Sequence, residues 1–401
     1  MMQQSINRVL APRELLIGGG ARHRLAGLLK SLGVSRPLLV TDQTMVTVGH
    51  AAAITEGLVA EGLSFGLFAD VVEDPTDVSV AALVVQAREG GHDGLVALGG
   101  GSAIDTAKAA GIVLSTGEPL NALKVPRIVD QDVLPLVAIP TTAGTGSEVT
   151  RAAVVTDVAA NEKMLILGTA ALPAAAIVDY ELTLTCPFRV TVDTGIDALT
   201  HALEALVNRN ANAHSDALAV SGLQLIGAHL ETVAQEPANR AAREGMMLGA
   251  THAGLAVSNT STALIHGLSR PIGAFFHVPH GMSNAMVLPL VTQFSLARAP
   301  GKYAMAARAL GIVPPSTGDT EAAAALVPAF QAMNRRLKVP TPEGFGIDRA
   351  RYMELIPEMA RQGLASGTPN NNPRLPTPDE MARLYELAFT GGLDPALPAT
   401  A

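Results

Sequence analysis

Through the first 185 positions, short and almost wholly apolar runs alternate with longer stretches of helical period. No other feature narrows the fold as far. The runs are PLLV (37–40), SFGLFAD (64–70), GLVALGGG (94–101) and PLVAIP (135–140). They lack the polar alternation of a strand with one wet face, so they read as strands covered on both sides. Helical period fills 22–32, 47–62, 78–90 and 102–114 between them. Strands alternating with helices predict a parallel sheet in an α/β layer arrangement.

Past Pro187 the texture changes. Segments 191–207, 213–233, 238–257, 259–270, 302–311 and 320–337 are rich in Ala and Leu and read as helices. A stretch holding Pro369, Pro373, Pro376 and an Asn triplet reads as a loop before a short helix at 378–390, and the tail from Asp394 onward is expected to fray. The division therefore falls near 186: an α/β domain over 1–185 and an all-helical domain over 186–401.

Composition excludes several classes of function. Apolar residues make up 48% of the chain and charged ones 16%, which suits a large core and not a disordered chain. The net charge of -8, with no basic cluster, argues against a nucleic-acid or anionic-membrane partner. Cys186 is the single cysteine, as expected in a reducing cytoplasm. The start, MMQQSINRVLAPREL, lacks the apolar core of a signal peptide. No run of about 18 residues reads as apolar enough to span a bilayer, since Asp105 and Lys108 interrupt the best candidate. A soluble, cytoplasmic protein is expected.

Two glycine-rich elements follow predicted strands. In GGGSAIDTAKAAG (99–111), three glycines allow backbone N–H groups to approach an anion, and the helix behind them adds unpaired donors and a positive dipole end. Asp105 and Lys108 lie in its first turns, and a pyrophosphate would fit; a plain strand-to-helix turn needing glycine fits as well. The second element, IPTTAGTGSEVT (139–150), offers small residues and the hydroxyls of Thr141, Thr142, Thr145 and Ser147 for packing around a nucleotide, or forms an ordinary turn. Gly18-Gly19-Gly20 reads as a turn, because His23 stands where a dinucleotide fingerprint needs glycine. Asp42, at the end of PLLVT, either accepts from ribose hydroxyls and repels a 2′-phosphate, or caps the next helix.

A second constellation lies in the helical part. Asp197 and His201 in DALTHALEAL are four apart, which stacks both on one helix face. His266 and His280 follow, also in apolar surroundings. One carboxylate and three imidazoles are borderline ligands suited to Fe(II) or Zn(II). Glu204, one turn beyond His201, reads either as an acceptor for a ligand's N–H or as an exposed carboxylate.

GGGSAIDTAKA, PTTAGTGSEVT, DALTHALEA, LIHGLSRPIGA and PHGMSNAMVLP, in this order and spacing, resemble the iron-containing (group III) alcohol dehydrogenases, and the likeness runs to NNNPRLPTPDEMARLYELAF near the end. The resemblance implies a dehydroquinate synthase-like fold: a nucleotide-binding α/β domain, a helical domain, and an active site in the cleft. It implies NAD and a divalent metal, Fe(II) first and Zn(II) second. It makes Asp197, His201, His266 and His280 the metal ligands and lays the pyrophosphate on Gly99, Gly100, Gly101 and Ser102. Thr141, Thr142 and Thr145 would line the adenosine and nicotinamide path, Lys163 would sit near the ribose, and Asp42 would be the carboxylate favouring NAD. The expected substrates are small alcohols and aldehydes, in a homo-oligomer such as a dimer.

The chain departs from the family at Arg270, where members similar to lactaldehyde reductase carry a second histidine in an HGxxH pattern. His277 could take over proton relay, or Arg270 could bind a charged substrate group. Two rivals share the scaffold, a hydroxyacid–oxoacid transhydrogenase and a polyol or hydroxy-acid dehydrogenase. A catalytically silent nucleotide-binding scaffold is the rival of another class.

Overall fold

The computed structural model describes residues 6–160 and 162–397, so the end of the tail, 398–401, lies outside the described residues. The described residues form two compact units: one spans Val9–Cys186, and the other runs from Pro187 and takes in residues 6–8.

In the first unit, β1 (Glu14–Ile17) leads to α1 (Leu25–Ser31), β2 (Pro37–Val40), α2 (Gln43–Thr47), α3 (His50–Ala60), β3 (Gly66–Phe68), α4 (Asp77–Glu89), β4 (Gly94–Gly99), α5 (Gly101–Thr116) and β5 (Leu136–Pro140). An antiparallel hairpin of β6 (Ala152–Asp157) and β7 (Glu162–Leu167) precedes β8 (Ala175–Val178). Six strands form one parallel sheet in the order β1-β8-β5-β4-β2-β3, with Val40 in register with both Phe68 and Ala97. Leu39, Val96, Leu98, Val137, Ile139 and Ile177 share one core layer with Leu25, Leu29, Ile54 and Leu58 of α1 and α3. Leu95, of the opposite parity, meets α5 at Gly111.

Strand order places the functional end of this sheet. From β2 the chain moves outward to β3, then returns past β2 to β4 and continues the other way. The reversal opens a crevice at the carboxyl ends of β2 and β4, where open parallel sheets bind ligands. Asp42 follows β2 by two residues, and Gly99–Gly101 ends β4 and starts α5.

The second unit is helical: α6 (Phe188–Val207), α7 (Ala213–Gln235), α8 (Arg240–Ser258), α9 (Leu264–Phe276), α10 (His280–Ser295), α11 (Pro300–Ala309), α12 (Asp319–Ala324), α13 (Leu326–Arg336), α14 (Pro342–Phe345), α15 (Arg349–Ala365) and α16 (Pro378–Phe389). The first three pack on one another, and α10 packs on α6 and α9. Gly222 of α7 sits where a Cβ would lie 3.2 Å from the carbonyl of Gly249 on α8, so glycine permits the close crossing.

Three expectations need correction. The helix placed at 259–270 runs over Leu264–Phe276, because Asn259 ends α8 and the next turn begins only after Ala263. The segment 320–337 is two helices, broken at Ala325. By length and composition, α7 does qualify as a membrane span, contrary to the reading of the sequence. It lies against α6 and α8, and its Asp216 and Glu231 pair with Lys302 and Arg336.

Candidate functional site

The helical unit brings Asp197, His201, His266 and His280 together. Asp197 and His201 stack on α6, His266 stands in the first turn of α9, and His280 opens α10. From Asp197 Oδ1, the Nε2 atoms of His266, His201 and His280 lie at 3.4, 3.7 and 3.7 Å. Ligand atoms about 2.1 Å from a common ion stand roughly 3.4 Å apart, so the spacing fits a shared divalent cation. Asp197, His201 and His266 are buried, and the side chain of His280 is 48% exposed, which leaves the cluster open on one side. The His201 and His266 rings stack with centroids 4.7 Å apart, and His266 and His280 are 5.2 Å apart. Rings this close suit neutral imidazoles turned toward one cation better than several protonated ones.

Glu204 resolves the alternatives left by the sequence. It is 1% exposed, and its Oε2 accepts from His266 Nδ1 at 2.7 Å. The same carboxylate accepts from the backbone N–H groups of Ala263 (2.7 Å), Ile265 (2.6 Å) and His266 (3.3 Å). Ala263 provides no side-chain cap for α9, so Glu204, reaching from α6, satisfies that helix start. Holding the proton on Nδ1 leaves the Nε2 lone pair of His266 for a metal.

Sequence reasoning missed Asn284, one turn beyond His280. Its Nδ2 donates to Asp197 Oδ1 at 2.8 Å, and its Oδ1 accepts from the Ser269 hydroxyl, which fixes the orientation of the amide. An amide one turn past a candidate ligand is the only trace this left in the sequence.

Electrostatics follow from the crowding. Burial would raise the Asp197 carboxyl, but His201, His280 and His266 outweigh it and hold the group far below the usual range. Burial raises Glu204 too, and His266 with the backbone donors brings it below its ordinary value. Burial lowers His266, yet Glu204 and Asp197 leave it raised. His280 is pushed down to about 4, by desolvation first and then by His266, Arg270 and His201 against the pull of Asp197. Arg270, one turn beyond His266, is lowered by burial in spite of Glu204 and Asp197. His277 ends α9 in the left-handed region at φ 54° and is exposed, three residues before His280.

In the first unit, Gly99 has φ 151°, and a Cβ there would lie 2.8 Å from Ala103 Cβ and 3.5 Å from Asp42 Oδ2. Gly100 is the N-cap of α5 and offers no side chain, so no side-chain cap takes up the first N–H groups of that helix. Thr142 lies beside Gly100 and Thr145 beside Gly101. Thr141 is buried and donates its N–H to Gly99 O at 3.0 Å. The Ser102 hydroxyl donates to Glu73 O, and Lys163 on β7 pairs with the neighbouring Asp74. Asp42 caps α2, its Oδ1 accepting from Met45 N at 2.9 Å; its Oδ2 lies on the Gly99 side.

Asp105 and Ser147 direct their polar atoms inward. Asp105 accepts from Ser147 Oγ at 2.6 Å and Val154 N at 3.0 Å. Lys108 Nζ donates to Ser147 Oγ, Thr150 O, Thr150 Oγ1 and Ala152 O at 2.7–3.1 Å. Together they tie α5 to the 141–154 segment and so fix the two glycine-rich elements against each other. The Gly18–Gly20 turn is likewise committed: Gly20 N and Arg22 N both donate to the buried Asp179.

Comparison with known proteins shows the family. The family described as iron-containing alcohol dehydrogenase matches residues 12–180, and the C-terminal part of the Fe-containing alcohol dehydrogenase family matches 191–389. Lactaldehyde reductase of Escherichia coli (strain K12) is 34% identical over 387 residues, covering 96% of this chain and 100% of that protein. NAD-dependent methanol dehydrogenase of Bacillus methanolicus is 32% identical, covering 94% of this chain and 98% of its own. The crystal structure of a 1,3-propanediol oxidoreductase superposes with a TM-score of 0.92 at 30% identity, over 96% of this chain and 100% of the other. Two family matches spanning both units, with relatives aligned end to end, place the chain in the iron-containing alcohol dehydrogenase family of oxidoreductases.

Proposed function

We propose that this protein is an NAD-dependent, metal-activated dehydrogenase that interconverts small primary or secondary alcohols and their aldehydes or ketones. The observation that carries the reading is the convergence of one carboxylate and three imidazoles, with Glu204 fixing the tautomer of His266. When bound, a divalent ion supplies Lewis acidity at the substrate oxygen, and the nicotinamide accepts or supplies the hydride.

The residues of this chain do the rest. Asp197, His201, His266 and His280 hold the ion; three imidazoles and a carboxylate without thiolate favour Fe(II), with Zn(II) next. Asn284 keeps Asp197 oriented. The exposed His277 ring exchanges the hydroxyl proton with water. Phe275 and Phe276, just before it, bound the substrate pocket, and Phe276 is steadied by stacking on Tyr352 at 5.5 Å.

In the first unit, the uncapped N–H groups at Gly101 and Ser102 and the bare backbone of Gly99 and Gly100 take the pyrophosphate. Thr141, Thr142 and Thr145 form the wall beside it, and Asp105 and Ser147 hold that wall in place. Asp42 Oδ2 takes the ribose hydroxyls and turns away a 2′-phosphate; Lys163 lies at the rim near the ribose. The reading includes a cytoplasmic location, which the single cysteine supports, and a homodimer, which sedimentation of the purified protein tests.

The test is anaerobic loading with Fe(II) or Zn(II), then NAD with a panel of short alcohols, diols and hydroxy acids. Metal-dependent formation of reduced nicotinamide is expected, and Asp197→Ala should lack it. No turnover with any metal or substrate overturns the reading.

A further inference from the structure

Arg270 sits on α9 one turn beyond His266, so its side chain shares the face that carries the imidazole. It is partly withdrawn from water, and the attraction of Glu204 and Asp197 offsets only part of that burial. No hydrogen bond or ion pair joins its guanidinium to any other described residue, and none of its nitrogens is sealed from solvent. A guanidinium has five donors and keeps its charge, so half-burying it without an acceptor is unfavourable.

Of the two carboxylates that attract it, Glu204 is committed at both oxygens and Asp197 at Oδ1, and neither forms an ion pair with it. Glu204 Oε1 accepts from Ile265 N and His266 N, and Oε2 from Ala263 N and His266 Nδ1. Four donors fill its four lone-pair positions. Asp197 Oδ1 receives Asn284 Nδ2 and faces the three imidazoles. The local geometry therefore offers a fork of donors beside the candidate metal site, with which no carboxylate among the described residues forms an ion pair.

We propose that Arg270 is the anchor for an anionic group on the substrate, so that the preferred substrates are short hydroxy acids or aldehyde acids bearing a carboxylate or sulfonate. This deepens the dehydrogenase reading and rests on it. A planar guanidinium matches two anion oxygens in parallel, which sets orientation as well as affinity. One helical turn separates Arg270 from His266, about 5–6 Å at Cβ, so the anion lies a few carbons from the reacting one. In the oxidative direction the carbinol hydrogen leaves as hydride to the oxidised nicotinamide nucleotide, the hydroxyl proton goes to water, and the anion is unchanged.

The test uses matched pairs of nearly equal size: glycolate with ethylene glycol, 3-hydroxypropanoate with 1,3-propanediol, and 4-hydroxybutanoate with 1,4-butanediol. With metal-loaded enzyme and NAD, the wild type should prefer the acid in at least one pair. Arg270→Gln should lower kcat/KM for that acid at least tenfold more than for its diol, chiefly through KM, and Arg270→Lys should keep part of the preference. Equal losses on both members, or a raised KM for NAD with the acid-to-diol ratio unchanged, overturn the proposal.

A second readout is independent of turnover. Calorimetric titration of the same acids into metal-loaded enzyme with NADH, where no reaction occurs, should show binding that Arg270→Gln weakens at least tenfold. Absence of saturable binding by the wild type also overturns the proposal. Binding of this kind without turnover would instead overturn the dehydrogenase reading and leave Arg270 as an anion site.

Discussion

His266 Nδ1 donates to Glu204 Oε2 across 2.7 Å, and the same carboxylate caps the start of the helix that carries His266. Folding of α9 and the tautomer of a candidate ligand thus depend on one buried side chain. Glu204→Gln keeps the shape but turns an amide N–H₂ toward donors, and nothing can then accept all four. The expected result is a loss of metal affinity of about 10–100-fold, read by chelator competition. Thermal unfolding should show a stability cost of roughly 1–3 kcal/mol.

Asn284 gives a graded version of the same test. Asn284→Ala removes the donor to Asp197 Oδ1 and leaves all four candidate ligands in place. Metal retained after dialysis should fall below wild type and stay above Asp197→Ala. Retention equal to wild type would show that Asn284 does not orient the carboxylate.

The two oxygens of Asp42 are placed differently: Oδ1 caps α2, and Oδ2 lies on the Gly99 side, where the proposed ribose contact would form. Serine is also a good N-cap, so Asp42→Ser should keep α2 while removing the negative charge. The ratio of kcat/KM for NADP to that for NAD should rise at least tenfold. An unchanged ratio with unchanged stability would leave Asp42 as a cap alone.

How much of this is legible in the sequence depends on whether the determinant is local. The four-residue spacing of Asp197 and His201 needs only a helix, and the apolar runs of β2, β4 and β5 need only a sheet covered on both faces. The start of α9 is different, because its cap comes from Glu204, 59 residues earlier than Ala263, and the local pattern set the helix several residues too soon. α10 carries Pro289 in its middle, which reads as a breaker, yet every residue from Gly281 to Ser295 is buried and packing holds the helix. The hairpin of β6 and β7 owes its place to Thr156 N bonding Pro75 O and Val158 N bonding Asp77, contacts with no sequence signature. Asp105 and Ser147 suit an anion site by position, and only the fold shows that each is the other's partner.

Lys108 yields a pH-dependent prediction. Its amine is buried and pushed down to about 8 by desolvation, against the pull of Asp105 and Glu148. Below pH 8 both folded and unfolded chains hold the proton, and the folded state carries the full penalty. Between about 8 and 10.5 the unfolded chain holds more protons, so stability rises with pH. From pH 7.5 to 9.5 the wild type should gain about 2 kcal/mol relative to Lys108→Met, measured by denaturant unfolding. A constant difference across that range would mean that the lysine titrates near its ordinary value.

The proposed function requires that Asp197, His201, His266 and His280 hold the ion on which turnover depends. The most direct measurement is His266→Ala beside wild type, with bound Fe or Zn per chain, NAD affinity and alcohol-dependent reduction of NAD read on the same preparations. One metal per wild-type chain is expected, lost in the variant together with turnover, while NAD affinity stays within about twofold. A His266→Ala enzyme that turns over at the wild-type rate, or keeps its full metal content, would contradict the proposed function.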